Sequence, residues 1–187
     1  TPAIIHHIAT PSELQTRSPS AWPASPAAGP SPGRARPAAT GPPAQTPSPD
    51  TTPFGLAWDG ANLWNVDLRA QTIYALDPDS LEIVWQQAAR IFETSIITGS
   101  ISYHDDRLFV PVSSYEVAVS GSPDHVCCKS HGGVIALDAN SGEQLWQWHG
   151  TGDATLQGRN SAGAELYGPS GVSVWSTPAI DANYAVD

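Results

Sequence analysis

The run HVCCKSH, residues 125–131, holds both cysteines of this chain, side by side and flanked by histidines. Sulfur and imidazole at His125, Cys127, Cys128 and His131 are ligand types that suit zinc. The spacing does not suit it, because neighbouring residues aim two sulfurs poorly at one tetrahedral ion. His104 and His149 add no recognisable ligand motif, so no residue is assigned to a metal. A second reading is a pair of reduced thiols in a surface loop, which would leave two reactive groups exposed. A third is a disulfide between the neighbours. Ordinary disulfides hold their Cα atoms at least about 4.4 Å apart, whereas adjacent Cα atoms lie about 3.8 Å apart across a trans peptide. Such a ring closes almost no chain, so it stabilises the whole fold little. It offers instead a stiff, flat, polarizable surface suited to a planar ligand, or a redox switch. Spacing alone leaves these readings open.

The elements that must position this run are legible as repeats. IYALDPDSLEIVWQQ (73–87) aligns without gaps on VIALDANSGEQLWQW (134–148), identical at seven of fifteen positions. Each copy reads as a short apolar strand, an Asp-led turn and a second strand bearing a Trp. Asp77 and Asp138 hold matching turn positions and read as structural. Before each copy comes another strand–turn–strand, GLAWDGANLWNVD (55–67) and SISYHDDRLFVPV (100–112). A third unit opens at WSTPAID (175–181). Four short antiparallel strands repeated with Trp-bearing turns predict all-β blades of a partial β-propeller, about two blades and the start of a third. Two blades do not close a ring, so the chain reads as a fragment of a longer propeller, inactive in isolation. The middle loop of the first unit is short. In the second, SSYEVAVSGSPDHVCCKSHGG intervenes, and insertions of this kind form loops on one face of a repeat fold. The cysteine pair sits in that insertion.

The rest of the chain sets limits. Of 18 prolines, 13 fall in residues 1–53, so composition predicts a disordered Pro/Ala/Ser-rich arm there and a propeller over 54–187. The opening AIIHHIA is too short to span a membrane and lacks the basic flank of an export signal. From residue 54 onward the chain carries 16 Asp and Glu against 5 Lys and Arg. That balance repels phosphate backbones and argues against nucleic-acid binding.

The stretch 97–148 resembles the quinoprotein, pyrroloquinoline-quinone (PQQ)-dependent alcohol dehydrogenases, in the polyvinyl-alcohol dehydrogenase form. The resemblance continues through NSAGAELYGPSGVSVWSTPAID (160–181). Its discriminating parts are SSYE…CC…GG and GPSG-x-x-x-W-S-x-P. The resemblance implies that Cys127 and Cys128 form a vicinal disulfide lying on one face of the quinone, with Glu116 near the cofactor. Gly171 would let backbone approach closely. His131 stands where the family commonly has an arginine that pairs with a cofactor carboxylate, and a neutral imidazole lacks the guanidinium fork. Trp175 could line the site, though blade packing is the plainer reading.

The implied activity is oxidation of an alcohol, with secondary or polymeric alcohols as candidates, by hydride transfer to PQQ with Ca²⁺ in the complete protein. The implied partner is a cytochrome c-like electron acceptor, and the implied location is the periplasm or outside the cell. The catalytic base and the calcium ligands cannot be assigned to residues of this chain. The competing expectation is a noncatalytic propeller scaffold or binding module, or a degenerate quinoprotein paralogue.

Overall fold

The computed structural model describes residues 47–181, which lie within one compact unit spanning Ala38–Asp187. The arm expected over residues 1–53 falls mostly outside the described residues. Its last few residues, 48–52, bond to the first sheet. The Leu68 amide donates to the Thr52 carbonyl at 3.0 Å, and Tyr74 Oη donates to Asp50 at 3.0 Å.

Among the described residues the fold is β throughout apart from one short helix, α1 (Glu116–Val119). The first sheet is an antiparallel meander of β1 (Pro53–Trp58), β2 (Leu63–Asp67), β3 (Thr72–Leu76) and β4 (Ile83–Ala88). The second runs β6 (Ser102–His104), β7 (Arg107–Ser114), β8 (Gly133–Asp138) and β9 (Gln144–His149), with β5 (Ser95–Ile96) added on β7. These are two four-stranded blades of an open, partial propeller. A hairpin follows, β10 (Thr155–Arg159) and β11 (Glu165–Gly168), and then an extended run through Trp175. Among the described residues no helix is long and apolar enough to cross a membrane.

The repeat is preserved down to its irregularities. Ala75 faces Trp85 and Leu76 faces Ile83, with a bulge between the two pairs. In the second blade Ala136 faces Trp146 and Leu137 faces Gln144, with the bulge in the same place. The bulge adds one residue and increases local twist. Each turn is closed by an Asp carboxylate. Asp77 accepts from the amides of Asp79 (2.9 Å) and Ser80 (2.7 Å), and Asp138 from those of Asn140 (3.0 Å) and Ser141 (2.8 Å). These bonds hold both carboxyls below the usual carboxylate range, against a smaller opposing effect of burial. The structural reading of these two aspartates is therefore the observed one.

Alternation places the core between the blades. Leu108, Val110 and Val112 of β7 point inward, and Leu108 and Val110 pair directly with Leu137 and Ile135 of β8. Trp64, Val66 and Ile73 of the first blade join the same cluster, and Trp64 stacks on Tyr103 with ring centroids 5.4 Å apart. Full burial of such aliphatic side chains is worth about 1.5–3 kcal/mol each. Trp85 ties blade to blade: its indole N–H donates to the Ala139 carbonyl at 3.3 Å, and its ring lies where a Cβ on Gly142 would stand. Gly142 has φ +76°, so a side chain there would meet both steric and backbone strain.

Candidate functional site

The long insertion between β7 and β8 folds back over the end of its blade. Ser113 and Ser114 end β7, Tyr115 follows, and α1 begins at Glu116. The chain then loops through 120–126 to the two cysteines and re-enters the sheet at Gly133. Cys127 and Cys128 are joined by a disulfide, across a cis peptide bond, with Cα atoms 3.0 Å apart. The separation assumed for a trans bond therefore does not apply. No free cysteine exists, which removes the free-thiol reading. No cluster of three or more His, Cys, Asp or Glu is placed to hold a metal ion among the described residues.

Two sets of contacts hold the disulfide. On one side it pairs with β11: the Cys127 amide donates to the Glu165 carbonyl (3.1 Å), the Tyr167 amide to the Cys127 carbonyl (2.6 Å), and the Cys128 amide to the Tyr167 carbonyl (3.4 Å). On the other side Glu116, only 6% exposed, binds the residues just after it. Its Oε2 accepts from the Lys129 amide (2.9 Å), the Ser130 amide (2.7 Å) and the Ser130 hydroxyl (2.5 Å). Its Oε1 lies 3.4 Å from His125 Nε2. Burial alone would raise the Glu116 carboxyl, but the Ser130 and Lys129 hydrogen bonds, with His125 close by, outweigh it and hold the group below its ordinary value.

Glu116, Cys127, Cys128 and Gly171 line one open pocket of about 310 Å³, together with Ser114, Ser130, Val172 and Trp175. Four of the five residues picked from the sequence are thus brought together. Gly171 (φ +85°) is placed by reciprocal bonds with the cysteine loop: the Gly132 amide donates to the Gly171 carbonyl (2.8 Å), and the Gly171 amide to the Ser130 carbonyl (3.0 Å). Trp175 is 67% exposed and lines the pocket. The run 172–178 that carries it follows β7, with Ser113 Oγ donating to the Val174 carbonyl at 2.8 Å.

His131 is the fifth residue, and it lies outside the pocket lining. It is 1% exposed, with its Nε2 2.7 Å from His149 Nδ1 and its ring edge-on to Phe92 at 4.7 Å. Gln147 Nε2 donates to His149 Nε2 at 2.9 Å. The proton of a neutral His149 then sits on Nδ1 and is donated to His131 Nε2. Burial, then the neighbouring His149, lower the His131 pKa and favour its neutral form, against a smaller opposing effect of Asp153. His131 Nδ1 is buried without a partner among the described residues.

The hairpin β10–β11 was not separated from the later repeat at the level of sequence. Its signal is NSAG flanked by Leu156 and Leu166. Asn160 Oδ1 accepts from the amides of Ala162 and Ala164, both at 3.0 Å, and Gly163 takes φ +89°. On that hairpin Tyr167 presents its ring to Lys129, whose Nζ lies 4.2 Å from the ring centroid.

The pocket wall combines a disulfide, an exposed indole and two valines with five serines and the Glu116 carboxyl. None of its residues is a cation, so the wall provides no partner of opposite charge for an anionic group.

These features define a piece of a β-propeller whose blade insertion carries a vicinal disulfide, and the motifs of that insertion are similar to the quinoprotein alcohol dehydrogenases. No protein-family model matches the chain. Over 108 residues it is 38% identical to a polyvinylalcohol dehydrogenase of a Pseudomonas species, covering 57% of this chain and 17% of that protein. It is 36% identical over 108 residues to the polyvinylalcohol dehydrogenase of Sphingopyxis sp. strain 113P3, covering 57% and 16%. The chain thus spans about a sixth of the length of these relatives. Among solved structures, a europium-containing methanol dehydrogenase overlaps 52% of this chain and 15% of its own, at 24% identity and TM-score 0.41. A quinohemoprotein alcohol dehydrogenase from Comamonas testosteroni overlaps 55% and 14%, at 20% identity and TM-score 0.40.

Proposed function

We propose that this pocket is one wall of a PQQ site, and that in a protein of the relatives' length it serves oxidation of an alcohol. The observation that carries the reading is the Cys127–Cys128 disulfide exposed in the pocket wall beside Trp175 and Gly171. Bound PQQ would supply the two-electron acceptor for hydride from the carbinol carbon, with Ca²⁺ as its Lewis acid. The chain's own part is positional. Cys127 and Cys128 present a rigid face, Trp175 and Val172 exclude water, and Gly171 leaves the backbone open to close approach. Secondary or polymeric alcohols, a cytochrome c-like acceptor and an extracytoplasmic location belong to the same proposal. The similarity to polyvinylalcohol dehydrogenases supports it.

A second reading has one observation in its favour. The pocket lining holds no cation, and His131 is engaged with His149. A degenerate quinoprotein, or a propeller used for binding alone, would look the same.

Titrating PQQ into the protein while following tryptophan fluorescence tests the wall. Saturable quenching is expected, weakened in Trp175→Phe and after reduction of the disulfide. No saturable quenching below about 1 mM, which corresponds to about 4 kcal/mol, would overturn the quinone reading. PQQ binding without alcohol-dependent dye reduction, in a protein of the relatives' length loaded with PQQ and Ca²⁺, would favour the second.

A further inference from the structure

We propose that Glu116 is a positioning residue whose Oε2 sets the place of the disulfide. This rests on the reading of the pocket as a ligand wall, and it assigns Glu116 a different part from the one implied by resemblance. One carboxylate oxygen carries the anchor. Oε2 takes three hydrogen bonds from Lys129 and Ser130, and Oε1 faces His125 at 3.4 Å. The two amides it binds belong to the residues immediately after Cys128. They fix the direction in which the chain leaves the disulfide.

The anchor is wired back to the blade. Ser130 Oγ donates to Glu116, so it accepts from Ser114 Oγ, 2.6 Å away. Ser114 is the last residue of β7, and its hydroxyl also receives the Glu116 amide at 3.2 Å. The Ser114 amide donates to Ser173 Oγ at 3.1 Å, which ties in the run leading to Trp175. A rigid strand, the carboxylate, the cysteine loop and the opposite wall thus form one buried network. Such a network specifies geometry because a half-satisfied version is costly. On the far side β11 holds the cysteine backbone itself. The disulfide is fixed between the two, and only the Glu116 side depends on a side chain.

The test uses the oxidised protein and the rate at which dithiothreitol reduces Cys127–Cys128 under native conditions. Exchange needs access of a thiolate to sulfur, so it reads local opening of the loop. Removing a charged acceptor from two part-buried or buried amides and a hydroxyl predicts reduction about tenfold or more faster in Glu116→Ala. In Glu116→Gln the amide oxygen still accepts from the same donors, and most of the wild-type rate should be recovered. Thermal unfolding, followed alongside, reads global stability. If Glu116→Ala does not fold, Glu116→Gln against Glu116→Asp carries the comparison, with Asp, one methylene short, the faster of the two. A reduction rate within twofold of wild type in Glu116→Ala, or in Glu116→Asp, overturns the positioning role whatever PQQ does. Faster reduction with no PQQ binding to wild type upholds the positioning role and sinks the quinone reading. Faster reduction in a variant whose PQQ affinity equals that of wild type overturns the link between disulfide placement and ligand.

Discussion

Gly132→Ala should damage this site more than any change to its visible wall. Gly132 has an ordinary backbone conformation, so the need for glycine there is one of space. A Cβ would run into the Val112 carbonyl oxygen, and would lie 2.7 Å from that of Val172 and 2.8 Å from Ser173 Cα. All three obstacles are backbone. An unstrained C···O approach is about 3.3 Å or more, so the segments must part by roughly 0.6 Å or more. Bonds between them would weaken: Gly132 amide to Gly171 carbonyl (2.8 Å) and Val174 amide to Val112 carbonyl (3.3 Å). Overpacking costs about 1–3 kcal/mol, and each weakened backbone bond about 1 kcal/mol. The expected loss is about 3–5 kcal/mol, or a Tm lower by about 10 °C or more. Gly121 and Gly152 have open space where a Cβ would stand, so their alanine variants serve as controls and should stay within about 0.5 kcal/mol of wild type. Urea unfolding followed by circular dichroism gives both the free energy and the slope. A Gly132→Ala protein within 1 kcal/mol of wild type at unchanged slope would refute the idea that backbone crowding leaves no room for a side chain at Gly132.

Acid should destabilise the first blade through Asp67, whose pKa is lowered: burial opposes the shift, but hydrogen bonds from Thr52, Ala70 and Arg69 outweigh it. A carboxyl depressed in the folded state contributes stability above its unfolded value of about 4 and loses it as pH falls through the folded value. The Tm of wild type should therefore drop below about pH 4 more steeply than that of Asp67→Asn, as scanning calorimetry would show. Mass spectrometry after alkylation should count no free thiols in the native protein and two after reduction. His131→Phe removes the partner of His149 but fills the space against Phe92. It should cost less than about 2 kcal/mol by urea unfolding and leave PQQ affinity within about threefold, because the ring lies outside the pocket.

What could be read in advance divides along a physical line. Blades and turns follow from local pattern, because strand alternation and Asp-led turns depend on neighbours in sequence, whereas the bulge beside Ala75 and Ala136 was seen only in the structure. The insertion was also visible, as a length difference between repeats. The partners of the insertion were not. Cys127 pairs with β11 residues some forty positions later, and nothing in HVCCKSH announces it. The place of Trp175 was not legible for a related reason: the path of 172–178 along β7 brings it to the pocket, and that path depends on contacts some sixty residues apart. Glu116, picked from the sequence, lines the pocket. Its engagement with the Lys129 and Ser130 amides depends on a loop closing over thirteen residues, which spacing does not encode.

His131 is the residue on which sequence and structure bear most directly together. By position it stands where the family commonly has an arginine, and the sequence leaves open whether an imidazole can replace that charge. Its surroundings point against replacement. Gln147 fixes His149, His149 donates to His131 Nε2, and burial favours the neutral ring. The His131 ring is buried against His149 and Phe92 and lies outside the pocket lining. The cation nearest in sequence to the disulfide, Lys129, holds its ammonium over Tyr167 and lies outside the pocket lining. In the proposed site, recognition would come from flat apolar contact with the disulfide and Trp175, with hydroxyls and backbone supplying direction. A ligand with a large π-face meets that requirement, and its anionic groups would have to find their partners beyond these residues.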